Sequence, residues 1–268
     1  MDASFLLKLV TLFFIGGGAI AALSFIAEKS SNKVAGIILS FPSTIVITFL
    51  FLACTESIDT VVRVAPTALI PLGVGLLFPI IYINTGRWLA KLNTTKTLEV
   101  AGSFIISTIF WLLISIPIAD NSFSNVTWGI GGYFILTLIA HIILKKEKNK
   151  TTPPINYTTK QMMARASFIG FIIVLMATLS KFVSPFWGSI FAVFPAGVGS
   201  LLMIFHWQYS PDHLSGLLQK LPIGSLLIFV YIIAVVYFFP LFGPIAGTLI
   251  SYILSLIVYL GIKKILKN

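Results

Sequence analysis

Two proline-centred stretches carry the residue types best suited to binding a solute. Residues 34–59 read VAGIILSFPSTIVITFLFLACTESID and residues 187–212 read WGSIFAVFPAGVGSLLMIFHWQYSPD. Phe41-Pro42 and Phe194-Pro195 are 153 positions apart, as are Ser57 and Ser210, Asp59 and Asp212, and Gly17 and Gly170. A proline inside an apolar helix removes one backbone hydrogen bond and disturbs another, leaving carbonyls one turn upstream without their usual donors. Those carbonyls belong to residues near Ile38 and Phe191. Broken helices facing each other at mid-bilayer form the recurring solute site of secondary transporters. The expected substrate-binding set is therefore Ser40, Phe41, Pro42, Ser43 and Thr44 from the first copy, with Phe194, Pro195 and Gly197 from the second. Hydroxyls at Ser40, Ser43, Thr44 and Thr48 suit either a solute or back-bonding to their own helix, and back-bonding is the ordinary use.

Asp59 and Asp212 each follow a serine by two positions and precede an apolar stretch. That pattern reads as an N-cap at a helix start, or as a matched pair of gates at the two membrane faces. No predicted span carries a central Asp, Glu or Arg; Glu99 falls at a helix start, where a carboxylate suits the dipole. The sequence thus argues against a buried carboxylate coupling transport to protons or sodium. His141, His206 and His213 show no metal-ligand spacing beyond a His206/His213 pair, and no phosphate loop or nucleophile elbow stands out. The expectation is no enzyme, no catalytic residue, no metal and no cofactor.

These residues need elements to position them, and composition says which. The chain is 57% hydrophobic and 10% charged, with mean hydropathy +1.02. A soluble domain of this length carries about a quarter charged residues. Nearly all of this chain must face lipid or other apolar helices, and the period-2 alternation of a β-barrel is absent. The lone Cys54 excludes an internal disulfide. The N-terminus has no basic stretch ahead of its apolar run, so it reads as a retained span and not a cleaved signal. The net charge of +10 sits in short loops and ends, which argues for membrane orientation and against nucleic acid.

Nine spans are predicted, near 4–27, 34–54, 64–84, 98–118, 127–145, 163–181, 185–206, 221–239 and 243–262. This count places Lys8, Arg63 and Lys181 on one side and the other fifteen of the 18 basic residues on the opposite side. Basic residues gather in short cytoplasmic loops, so the expectation is a cell-membrane protein with its N-terminus outside and its C-terminus cytoplasmic. The Phe-Pro helices are the second and seventh spans. An odd separation reverses direction, so the two halves would be inverted. The third and eighth spans match at a slightly different offset, with Pro71, Gly73 and Phe78 against Pro222, Gly224 and Phe229. The predicted architecture is all-α: a first membrane repeat over 1–118, a connector helix and cytoplasmic linker over 119–162, and a second repeat over 163–268.

Ala35, Gly36, Phe41, Pro42, Ser43 and Thr44, with Gly188, Ser189, Phe194, Pro195, Ala196 and Gly197, carry a pattern of small residues, Phe-Pro, a small residue and an apolar run. It resembles the GlpM-type family of small four-span bacterial membrane proteins, a family of unknown function. The resemblance implies a fused, inverted pair of such units with an added connector; it implies a fold and no activity. The functional expectation is a transporter of a small neutral, zwitterionic or lipid-like solute, with a site between helices 2 and 7. The alternative is a non-transporting membrane scaffold or accessory subunit. The partners expected are the lipid bilayer and an unidentified small molecule; a homo-oligomer is permitted but not required.

Overall fold

A computed structural model describes residues 3–29, 43–146, 158–211 and 218–265. Among them the chain is all-helical. Helix α1 spans Ala3–Lys29, α2 Ser43–Thr55 and α3 Ile58–Val64, which passes through a 3-10 turn at Ala65–Ala68 into α4, Leu69–Lys91. Then come α5 Lys96–Asp120, α6 Val126–Lys146, α7 Thr159–Phe182, α8 Pro185–Ala192, α9 Ala196–Gln208 and α10 Leu221–Ile265. Five segments are long and apolar enough to cross a membrane: Ile58–Lys91, Lys96–Asp120, Val126–Lys146, Thr159–Phe182 and Leu221–Ile262. The α8–α9 pair passes as a sixth, bent by 42°. The protein is a multi-pass helical membrane protein.

Proline and glycine chemistry shapes the departures from straight spans. Where span 64–84 was expected, the helix begins at Ile58 and tightens into the 3-10 turn at Pro66. Span 185–206 is broken between Ala192 and Ala196. The eighth and ninth expected spans meet inside α10 without a loop. Gly243 there has φ 75 and ψ 173, flanked by Pro240 and Pro244. A Cβ on Gly247 would stand 2.9 Å from the Phe238 carbonyl oxygen, whereas nine residues of continuous helix would separate the two by about 13 Å. The chain therefore doubles back at Gly243, the left-handed position that only glycine adopts without strain.

Helix ends recur at the spacing seen in the sequence. Lys29 and Phe182, which close α1 and α7, are 153 positions apart, as are Ser43 and Ala196, which open α2 and α9, and Thr55 and Gln208, which close them. The contact between α1 and α7 is reciprocal. A Cβ on Gly17 would lie 2.8 Å from the Ala166 carbonyl oxygen, and one on Gly170 would lie 2.9 Å from that of Phe13. Phe13 and Ala166 are again 153 apart. The later residue of each helix meets the earlier residue of the other, so the helices run antiparallel. Phe5, near the start of α1, accordingly packs edge-on against Phe182 at the end of α7, with Lys181 Nζ 3.8 Å from the Phe5 ring centre.

The buried faces join at two ends. At one, Trp187 Nε1 donates to Asp120 Oδ1 (3.1 Å), Arg63 lies over the Phe186 ring, and Ser189 Oγ donates to the Val64 carbonyl (2.7 Å). At the other, the start of α5 meets the end of α9. Between them α5 buries a stripe four residues apart, Ser103, Ser107, Trp111, Ser115 and Ala119, whose mostly small side chains admit close neighbours. The opposite face of α5 and much of α6 expose Ile105, Ile109, Leu113, Ile135 and Leu138, as lipid contact requires.

The crossing predicts its own mutants. Gly17→Ala and Gly170→Ala should each cost roughly 1–3 kcal/mol by forcing backbones apart, read as a lower unfolding temperature in detergent. Gly18→Ala, with nothing within 4 Å of its Cβ position, should be neutral or slightly stabilising.

Candidate functional site

The Phe-Pro break of the second half is well defined. Pro195 stands at the N-cap of α9 with φ −75 and ψ 46 and makes no side-chain cap. The expected free carbonyls are not free: Phe194 N–H donates to Phe191 O (3.1 Å) and Val193 N–H to Ile190 O (3.2 Å), because the last turn of α8 tightens. Beyond the break, Ala196 N–H donates to Phe194 O and Gly199 N–H to Pro195 O, both at 2.7 Å. Phe194 is buried against Trp111, with ring centres 5.1 Å apart, and against Phe78 at 6.2 Å. Gly197 is exposed, with open space where a Cβ would be.

Of the first-copy residues, Ser40, Phe41 and Pro42 lie outside the described residues, as does Asp212. Ser43 opens α2, and Thr44 is half-buried. Thr48 Oγ1 back-bonds to the Thr44 carbonyl at 2.8 Å. The N-cap expected at Asp59 belongs to Ser57, whose Oγ accepts from Thr60 N–H at 3.0 Å. Asp59 sits in the first turn of α3, where its charge complements the helix dipole.

The structure assembles a polar cluster that the sequence left scattered. Glu99, in the first turn of α5, is 9% exposed, and the His206 ring near the end of α9 is fully buried. Glu99 Oε2 lies 3.4 Å from His206 Nε2 and 3.2 Å from Lys96 Nζ. His206 Nδ1 is 3.2 Å from the Tyr82 hydroxyl of α4. Lys96 Nζ also donates to the Tyr209 carbonyl at 3.3 Å. With Glu99 ionised, the consistent tautomer carries its proton on Nε2 facing the carboxylate, and Nδ1 accepts the Tyr82 O–H. The 3.4 Å separation is long for a hydrogen bond, so the contact is chiefly electrostatic.

Gly86 makes room for this ring. A Cβ there would stand 2.8 Å from His206 Cε1 and 3.2 Å from Ser103 Oγ. One and a half turns up α9, Ser200 Oγ accepts from Arg165 Nε at 3.3 Å and donates to the Gly197 carbonyl at 3.0 Å. Arg165, counted among the cytoplasmic loop charges by position, is 5% exposed. Ionisable groups held in the interior of a membrane protein are costly and mark function more often than packing. An imidazole between a carboxylate and a phenol can hold and pass a proton. Among the described residues no group of three or more His, Cys, Asp or Glu side chains could hold a metal.

The signals for this cluster existed only singly: Glu99 three positions after Lys96, and His206 in a Phe-His-Trp run. Neither spacing pairs them. Comparison with protein-family models, with characterised proteins and with solved structures finds no match for this chain.

Two substitutions test the cluster. Gly86→Ala should displace His206 and cost roughly 1–3 kcal/mol. Tyr82→Phe should cost about 1–3 kcal/mol by leaving Nδ1 without its donor. Thermal unfolding in detergent reads both.

Proposed function

We propose that this chain is a multi-pass membrane transporter built from two inverted, GlpM-like four-span units, with the fifth span as connector. The observation that carries the reading is the reciprocal antiparallel crossing of α1 and α7, with Gly17 on Ala166 and Gly170 on Phe13. A contact in which i meets j and j′ meets i′ is the mark of a two-fold axis. For antiparallel membrane helices that axis lies in the membrane plane, the arrangement on which alternating access is built. Coincident helix ends 153 positions apart add to it, and the doubling back at Gly243 agrees with separate eighth and ninth spans.

The solute site lies beside the α8–α9 break and the start of α2. On one flank stand Phe78, Trp111, Phe191 and Phe194; on the other, α9 begins with an exposed Gly197. An apolar wall beside a helix start that has no side-chain cap suits a small neutral, zwitterionic or amphipathic solute. The cytoplasmic side is the one that carries Lys96, Glu99 and His206. A packing scaffold is the competing reading, favoured by the tight aromatic seal around Phe194.

Topology decides first. In a Cys54→Ser background, Ser122→Cys should react with an impermeant maleimide in intact cells, and Asn149→Cys only after permeabilisation. Both reacting on one side would sink the inversion and leave the scaffold. Pro195→Ala should then abolish solute movement with the fold retained; a scaffold would be unchanged or more stable.

A further inference from the structure

We propose that Glu99 and His206 form a proton-binding site, and that proton exchange there is linked to movement of α9 about the α8–α9 break. This rests on the transporter reading and supplies it with a proton-sensitive latch on one side of the membrane.

The geometry supplies three parts. The first is a grip: the opening turn of α5 holds the closing turn of α9 through Glu99 to His206 and Lys96 to the Tyr209 carbonyl. Both contacts join α5 to the arm beyond the break, and both depend on charge. The second is a hinge, the segment Val193–Pro195 between two helical arms bent by 42°. The third is access: the Lys96 side chain is 38% exposed and that of Glu99 12%, while His206 is sealed. Water therefore reaches the carboxylate from the Lys96 side and stops at the imidazole.

A proton from water adds to Glu99 Oε2 and cancels its charge. Lys96 then loses its ionic partner, His206 loses the carboxylate facing Nε2, and the grip slackens. When α9 returns, the restored ion pair favours the carboxylate anion and the proton goes back to water. No other bond changes. Linkage makes the effect mutual: if proton binding favours the swung position, the swung position binds the proton more tightly. Other charged or titratable groups face the ring from each packed element, among the described residues. From α4 comes Tyr82 and from α5 Glu99 and Lys96; Arg165 of α7 meets α9 six residues away, at Ser200. Tyr82 is a positioning residue that fixes the ring's orientation. Under the 153-residue shift His206 falls on Ala53 and Glu99 on Tyr252, so this site has no counterpart at the opposite end.

The test uses the full chain in nanodiscs. Histidine ring nitrogens are observed by NMR from pH 4 to 8, with His206→Asn assigning the signal among His141, His206 and His213. Spin labels at Asn93→Cys and Gln208→Cys, both exposed, in the Cys54→Ser background report the separation of the α4–α5 corner from the end of α9. The expected result is two distance populations whose ratio shifts with pH by up to about tenfold, with the His206 signal following the same midpoint. Tenfold is the effect of a one-unit difference in proton affinity between two states. Glu99→Gln and His206→Asn should each remove the shift, with Tyr82→Phe altering the pH midpoint but keeping it. A ratio independent of pH, or a Glu99→Gln protein that responds as the parent does, overturns the proton site. With Ser122→Cys and Asn149→Cys labelled on opposite sides, that result leaves the transporter reading standing. The same two positions labelled on one side overturns both.

Discussion

Inside hydrocarbon there is no water to satisfy an exposed backbone carbonyl, and each one left bare costs several kcal/mol. This chain interrupts its helices at the 3-10 turn Ala65–Ala68, at Val193–Pro195 and at Gly243, so the fold depends on what fills those gaps. Ser189 Oγ donates to the Val64 carbonyl where the 3-10 turn begins, and Trp111 Nε1 donates to that of Pro71, about two turns on and inside α4, at 3.1 Å. The α8 break closes on itself through tightened turns. Each donor comes from a different helix or a different hydrogen-bond register. The breaks therefore fix how the helices must pack, as much as packing fixes the breaks.

Much of the helical layout was legible because membrane helices advertise themselves by length and composition. The connector near 127–145 emerges as Val126–Lys146, and the span near 163–181 as Thr159–Phe182. The 153-residue spacing read from Phe-Pro and a handful of small residues recurs in the helix ends. Trp111 was not legible: nothing in the sequence pairs it with the Pro71 carbonyl, to which its fully buried indole donates. Glu99 was read as a carboxylate at a helix start and His206 only as half of a His206/His213 pair, and neither reading looks beyond its own helix. What gives them another is a meeting of residues 107 positions apart, set by how α5 and α9 cross. Arg165 shows the same limit, since its place near a helix start implied a solvated lysine-like charge.

Scaffold and chemistry follow different symmetries here. The α1–α7 crossing and the α2 and α9 boundaries treat the halves alike, while the ionisable residues in the interior belong to one end. The backbone spacing repeats, while the contact between Glu99 and His206 joins the start of α5 to the end of α9 alone.

The tight reversal at Gly243 reaches past the folded protein to its synthesis. Leu241 and Phe242 at its tip are apolar and exposed, so the tip belongs among lipid headgroups or tails and offers no hydrophilic loop to drag across. Two arms joined this way enter a bilayer most readily together, as a single wedge whose ends stay on the side from which they came. The last part of the chain can thus take its place without any polar segment being translocated, and its orientation follows from the helices that precede it.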